Sequence, residues 1–328
     1  MFKSKKTKPA KPIAILAALA VAVLVPQMGF DNYILTIFVQ ALLYSIIVLG
    51  LNFITGMTGQ MNLGSAAVFG LGAYTAALAT TKLGISPWLA MILVIIMGWL
   101  IGCLLGYPSL RVKGVYLTLT TIAFNEIVRL CLQNMEWTGG IGGVRSIPRF
   151  ELFGLEIKTP TQNYYFILVA LIIFILISHR YINSKYGRAF IAVRDNIEAV
   201  ETCGIKLSRI KVQAFTLSTI FGAVAGGLYA SFMGYVTPTT FTTTLSMSFA
   251  VMLIIGGRCS IPGCIVGSFV IAFAPELLRF LGIYYQAVYA VIIILALVFN
   301  PDGLAFLAPK CKKLFVKLRG KLHHKETT

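Results

Sequence analysis

The sequence predicts an all-α protein, a polytopic bundle of about ten membrane segments with both termini in the cytoplasm. Three observations lead there. Apolar residues fill 58% of the 328 positions and charged residues only 12%, about half the charge density of a soluble domain. Most uncharged stretches match or exceed the roughly 20 residues that cross a bilayer core as a helix. Lys and Arg gather in alternate connections, as they do in short cytoplasmic loops.

Along the chain, uncharged windows cover 12–30, 32–81, 83–110, 159–178, 212–257, 259–275 and 280–301. Windows 32–81 and 212–257 are too long for one crossing, so each is divided into two. A further apolar segment, 114–135, is interrupted by Glu126 and Arg129. The expected segments are therefore 13–29, 32–54, 66–81, 86–106, 115–133, 162–178, 212–233, 244–257, 263–281 and 283–299. With the N-terminus inside, cytoplasmic stretches hold 22 of the 28 Lys/Arg, including Arg111, Lys113, seven between Arg180 and Lys211, and Arg258. Only Lys82, Arg145, Arg149 and Lys158 fall outside, with Arg129 and Arg279 near helix ends. The chain divides into a basic N-tail (1–12), a membrane domain (13–307) and a basic C-tail (308–328). Within the membrane domain lie an outer loop at 134–161 and a cytoplasmic loop at 180–211.

The net charge of +17 sits in short flanks beside apolar helices. Anchoring to an anionic lipid leaflet explains it better than nucleic acid does. The basic stretch before segment 13–29 imitates a signal peptide, but no small-x-small site follows it, so an uncleaved first helix is expected. Six cysteines form no disulfide framework and read as small packing residues, with Cys203 and Cys311 facing a reducing cytoplasm.

No phosphate-binding Gly-x-x-x-x-Gly-Lys-Ser/Thr loop is present, so any ATP that drives this chain is hydrolysed elsewhere. Nor is there a His-Glu-x-x-His pattern, and His179, His323 and His324 are the only histidines. No catalytic residue and no metal ligand is assigned. Glycine pairs Gly102/Gly106, Gly222/Gly226 and Gly263/Gly267 permit close helix contact. The run Thr138-Gly139-Gly140-Ile141-Gly142-Gly143 lies in an outer loop that reads either as a docking surface or as a flexible connector.

Three groups of residues are candidates for function. Intramembrane charge is costly, which singles out Glu126 with Arg129 and Glu276 with Arg279. Each pair is spaced by three residues and so can neutralise itself on one helix face. Structural ion pairing and a part in transport both remain open for them, and the second keeps an ion-coupled transporter in view. Gly56, Thr58, Gly59, Gln60 and Asn62 form a polar, Gly-rich stretch inside uncharged sequence. Irregular backbone at membrane depth is tolerated only beside protein or a water-filled cavity. A pathway element and a plain turn both fit, and the lack of any Lys or Arg there tilts toward the pathway. Finally, Asp195 can cap a helix of about eight residues with Glu198 as its third residue, and Gly204 can end it in a left-handed turn. Ile197, Val200 and Ala199 would face an apolar groove, of a partner or of the membrane surface.

Glu198-Ala199-Val200, three residues, then Gly204 resembles the EAA-x-x-x-G motif of importer permeases in the ABC superfamily. Ordered matches elsewhere extend the resemblance to nearly the whole chain, among them Thr58-Gly59-Gln60, Phe69-Gly70-Leu71-Gly72-Ala73-Tyr74, Leu110-Arg111-Val112-Lys113-Gly114-Val115-Tyr116, Phe124-Asn125-Glu126-Ile127-Val128-Arg129, Val193-Arg194-Asp195-Asn196 and Asn300-Pro301-Asp302-Gly303-Leu304. Together they are similar to the LivM-type permease subunits of branched-chain amino acid importers. The resemblance implies a non-enzymatic subunit of a bacterial plasma-membrane importer for leucine, isoleucine and valine. Relatives for urea, amides, other amino acids or sugars share the general design. It further implies a homologous second permease, two ATPase subunits that carry ATP and Mg, and an extracytoplasmic binding protein. Asp195, Glu198, Ala199, Val200 and Gly204 would form the helix that docks on an ATPase subunit. Val200 departs from the motif's second Ala, and Cys259 stands where Gly is expected, which puts the backbone of that turn in question.

Overall fold

Polar side chains are buried within the apolar interior of this molecule, and large apolar ones also cover its outside. Ser45, Asn52, Asn62, Thr121, Asn125, Ser218, Thr219, Ser246 and Ser268 are all buried. Leu89, Ile92, Ile96, Trp99, Leu100 and Leu104 are exposed along one helix, and Val169, Ile173, Leu176 and Ile177 along another. Water would not support that arrangement, whereas hydrocarbon solvates the outer belt.

The computed structural model describes residues 23–29, 31–112, 114–152 and 155–284, with positions 287, 288, 290, 291 and 294. Expected segments 13–29 and 283–299 and both tails lie wholly or mostly outside the described residues. The fold is α-helical, with α1 (Asn32–Leu51), α2 (Ser65–Thr81), α3 (Pro87–Gly106), α4 (Val115–Asn134), α5 (Pro160–Ile182), α6 (Lys185–Asp195), α7 (Ile197–Thr202), α8 (Leu207–Met233), α9 (Thr243–Gly256) and α10 (Ile261–Leu277). A π-helix, Asn52–Met57, continues α1. Among the described residues, five helices are long and apolar enough to cross a membrane: Asn32–Met57, Pro87–Leu110, Val115–Asn134, Pro160–Ile182 and Leu207–Met233. Helices α2, α9 and α10 are shorter. At 14 residues, α9 extends about 21 Å, short of the roughly 30 Å hydrocarbon core.

Centrally placed, α8 has 78% of its most apolar window buried, whereas α5 at the rim has 22%. Small residues let backbones meet around it. A Cβ on Gly72 would strike Ala223 and one on Gly226 would strike the Phe69 carbonyl, joining α2 to α8. Gly102 lies against Thr216 in the same manner, and Gly256 against Gly263. Phe53, Phe69, Phe221, Phe241 and Phe249 fill the remaining space with edge-on ring contacts. Helix α8 starts at Leu207, five residues before its uncharged window, because Arg209 and Lys211 belong to its first turns. Lys211 is buried and donates to the Ser109 carbonyl at 3.5 Å.

The loop after α4 is a packed cap, which corrects the flexible-connector reading. Strand β1 (Val144–Arg145) pairs antiparallel with β4 (Tyr235–Val236), tying the loop to the α8–α9 connection. Strands β2 (Glu151–Leu152) and β3 (Leu155–Glu156) form a small hairpin. Val144, Ile147, Phe150 and Ile157 are buried beneath the cap. Buried Thr138 donates to the carbonyls of Leu132 and Met135, 2.7 Å each. The Gly-rich run serves the cap's turns: Gly139, Gly140 and Gly143 have positive φ, and a Cβ on Gly143 would collide with the Val236 carbonyl. Trp88 donates its indole N–H to the Glu151 carbonyl at 2.9 Å. Lys158 pairs with Glu156 at 2.8 Å and holds that carboxyl below its usual range.

Candidate functional site

At the end of the bundle opposite the cap, four irregular segments converge: the π-helix with its exit 58–64, the α3–α4 connection, the α6–α7 loop and the α9–α10 turn. In the π-helix, bonds reach five residues back, as from Thr58 N to the Phe53 carbonyl at 3.3 Å. Thr58 Oγ1 donates to the Ile54 carbonyl at 2.7 Å, and Thr55 Oγ1 to that of Gln60 at 3.0 Å. Gly59 turns the chain with φ +72°. Buried Asn62 accepts from Gly64 N at 2.9 Å, and Leu63 N donates to Thr121 Oγ1 of α4 at 3.1 Å. The stretch therefore re-enters the bundle before α2 begins. A small cavity beside it is lined in part by Asn62, Ser65, Ser218 and Thr219.

Asn52 Oδ1 accepts from the backbone N–H of Cys259 at 2.8 Å. The Cys259 thiol donates to the Gly56 carbonyl at 3.1 Å. Burial raises the pKa of this thiol, with nearby Arg194 acting in the opposite sense, so it stays protonated and able to donate. Cys259 adopts φ +62°, the left-handed region that suits Gly. The turn thus keeps the expected glycine's shape while carrying a side chain. Two buried atoms here, Asn52 Nδ2 and Gln60 Oε1, have no hydrogen-bond partner among the described residues. Such atoms are uncommon in native interiors.

Helix α7 is shorter than expected and differently capped. Its N-cap is Asn196, whose Oδ1 accepts from Ala199 N at 3.0 Å, and Asp195 is the last residue of α6. The extended backbone of Asn196, φ −157°, separates the two helices, so Asp195 cannot cap the second while ending the first. Gly204 ends the helix as expected, with φ +74° and its N–H donating to the Glu201 carbonyl at 3.0 Å, while Ile205 N donates to Val200 O at 3.3 Å. Val200 is 3% exposed and belongs to this chain's own core, which corrects its assignment to a partner's groove. Glu198, Ala199 and Glu201 face outward. Beside them runs an open groove lined by Leu110, Gly204, Ile205 and Leu207.

The two ion pairs are not part of this cluster. Glu126 Oε2 meets Arg129 Nη2 at 2.8 Å, and both side chains are partly exposed on α4. Thr243 Oγ1 donates to Glu126 Oε1 at 2.6 Å. Neighbouring Asn125 contacts Thr243 and Ser246, and Ser246 accepts from the N–H of Ala66 at 2.8 Å, so a polar chain links α4, α9 and the start of α2. Sequence patterning did not reveal these Thr and Ser partners, which lie more than a hundred residues away. Glu276 pairs with Arg279 at 3.4 Å at the end of α10, where Tyr33 donates to Glu276 at 2.8 Å.

The chain is similar in sequence to known proteins. Residues 33–297 match the family described as branched-chain amino acid transport system / permease component. The chain is 32% identical over 314 residues to the high-affinity branched-chain amino acid transport system permease protein LivM of Salmonella typhimurium, covering 88% of this chain and 74% of that one. Against LivM of Escherichia coli the identity is 33% over 287 residues, with 80% and 68% covered. An autoinducer 2 import system permease protein, LsrC of Yersinia pseudotuberculosis, is 23% identical over 269 residues, with 79% and 74% covered. No solved structure matches. A multi-pass helical protein that matches the family model through all its described membrane helices is a permease component, and the chain belongs to the branched-chain amino acid transport permease family.

Proposed function

We propose that this chain supplies half of the translocation pathway of an ATP-driven importer for leucine, isoleucine and valine in a bacterial plasma membrane. The observation that carries the reading is α7. It is a six-residue helix that cannot persist alone in water, yet it is anchored by Val200, capped by Asn196 and stopped by Gly204 so that Glu198 and Ala199 face outward. Such a rigid, short projection suits docking in a cleft of an ATPase subunit. Lipid would not require so exact a stop. Two copies of the ATPase, carrying ATP and Mg, would draw the coupling helices of this chain and a homologous second permease together, and the shared cavity would change the side it faces.

Orientation follows from charge. The end that carries α7 also bears Arg111, Arg180, Lys185, Arg188, Arg194, Lys206, Arg209, Lys211 and Arg258, a concentration of positive charge that supports a cytoplasmic orientation for it. The cap then faces outward as the docking surface for a binding protein. Residues 56–62 reach from the coupling end into the bundle, and their polar groups beside the small cavity suit a lining of the pathway. An autoinducer or sugar importer is the second reading, favoured by the similarity to the autoinducer 2 permease. The test is uptake of labelled leucine by cells deprived of their own importers and supplied with this chain and its partner subunits. Competition by isoleucine and valine supports the proposal, and competition by a sugar or autoinducer alone refutes its substrate class.

A further inference from the structure

The two regions that the sequence offers separately, 56–62 and 195–204, are joined through one side chain. Arg194 lies in the last turn of α6, two residues before the cap of α7, and is held in register by buried Val193. Its stem lies across the Gly59 turn, where a Cβ on the glycine would be 3.1 Å from Arg194 Cγ. Its Nη1 donates to the Gly56 carbonyl at 3.1 Å and lies 3.6 Å from Cys259 Sγ. The carbonyl belongs to the last turn of the π-helix, where a helix leaves acceptors without intrahelical donors. Arg194 and the Cys259 thiol together supply the missing donors, one of them charged and therefore the stronger.

We propose that Arg194 is the positioning residue that transmits displacement of the α6–α7 loop to the π-helical end of α1 and the polar segment after it. The inference rests on the proposed role of α7 as a coupling helix. A π-turn is suited to this task because it holds one residue more than an α-turn, and its i to i+5 bonds can exchange for i to i+4 bonds without unfolding the helix. The orphaned Asn52 Nδ2 and Gln60 Oε1 flank that turn, so this arrangement leaves polar groups that a second arrangement can satisfy. In the arrangement seen, Arg194 packs on Gly59 and donates to the carbonyl shared with Cys259. When nucleotide shifts α7, Arg194 moves with α6, the Gly56 carbonyl loses its charged donor, and the accessibility of the Cys259 thiol changes.

The test uses the assembled importer with the five other cysteines replaced, so that Cys259 is the only thiol of this chain. The rate of N-ethylmaleimide labelling is measured without nucleotide and with ATP held by hydrolysis-deficient ATPase subunits. With Arg194 present the two rates are expected to differ by about fivefold or more, the low end of ordinary coupling between sites. In Arg194→Gln the ATPase subunits remain bound, but the two rates come together and uptake per ATP hydrolysed falls. Equal rates with Arg194 present overturn the proposal. A preserved difference in Arg194→Gln also overturns it, and so does loss of the ATPase subunits from that variant, which would make Arg194 part of the docking surface. Failure of the underlying reading is seen separately: if Gly204→Val keeps its ATPase subunits, α7 is not the coupling helix, whatever Arg194 does.

Discussion

Replacing Gly204 by Val perturbs one turn of backbone and nothing else. At this position a Cβ would meet no atom within 4 Å, so added volume is not the cost. The cost lies in φ +74°, which for an L-residue is unfavourable by about 1–2 kcal/mol and worse for a β-branched one. That strain falls on the bonds that close α7, from Gly204 N to Glu201 O at 3.0 Å and from Ile205 N to Val200 O at 3.3 Å. A penalty of about 1–2 kcal/mol reduces the population of the closed turn by roughly 5- to 30-fold, and the ATPase should be lost in proportion. Gly204→Asn separates conformation from bulk, because Asn enters the left-handed region far more readily than Val at similar size. The assay is co-purification of the ATPase subunits with substrate-stimulated hydrolysis. Val is expected to lower both by about that factor while leaving the protein in the membrane, and Asn to retain most of each. Normal association and hydrolysis in Gly204→Val would refute the coupling role of α7.

Other predictions follow from the same geometry. Asn196→Ala removes the cap of α7 at a cost of about 1 kcal/mol and should speed hydrogen exchange at residues 199–202, whereas Asp195→Ala should not; the reverse pattern would restore Asp195 as the cap. Exposed Cys203 should react with an impermeant maleimide in inverted vesicles and not in intact cells, and labelling from outside would invert the proposed topology. Gly226→Leu drives a side chain into the Phe69 carbonyl and should cost several kcal/mol of α2–α8 packing. Gly142→Ala, which meets open space at an ordinary φ, should not. Thermal unfolding in detergent distinguishes the two, and equal stability would mean that the α2–α8 contact is misplaced.

How much of this was legible beforehand depended on the kind of signal. Apolar length located seven of the eight described segments to within a few residues, because hydrocarbon demands uncharged surface over a fixed span. It misplaced the start of α8, since Arg209 and Lys211 remain helical where their charges can reach water or a carbonyl. Gly204 could be read as a helix stop because left-handed backbone selects for Gly. The cap was misassigned to Asp195 because Asp and Asn are equally good caps and only the fold decides where α6 ends. Cys259 was conspicuous as the residue standing in a glycine's place, but its partners, Asn52 and Gly56, lie some two hundred residues away. Arg194 passed as one more basic residue of a cytoplasmic loop for the same reason. Contacts across such separations are fixed by topology, and no local pattern encodes them.

The most direct test of the account is uptake by vesicles reconstituted with this chain, its permease partner, the ATPase subunits and a loaded binding protein. Labelled leucine should accumulate only when ATP is present on the ATPase side, and should continue to do so when an ionophore collapses the proton gradient. Accumulation driven by a proton gradient without ATP would contradict the account and move the transport role to Glu126 or Glu276.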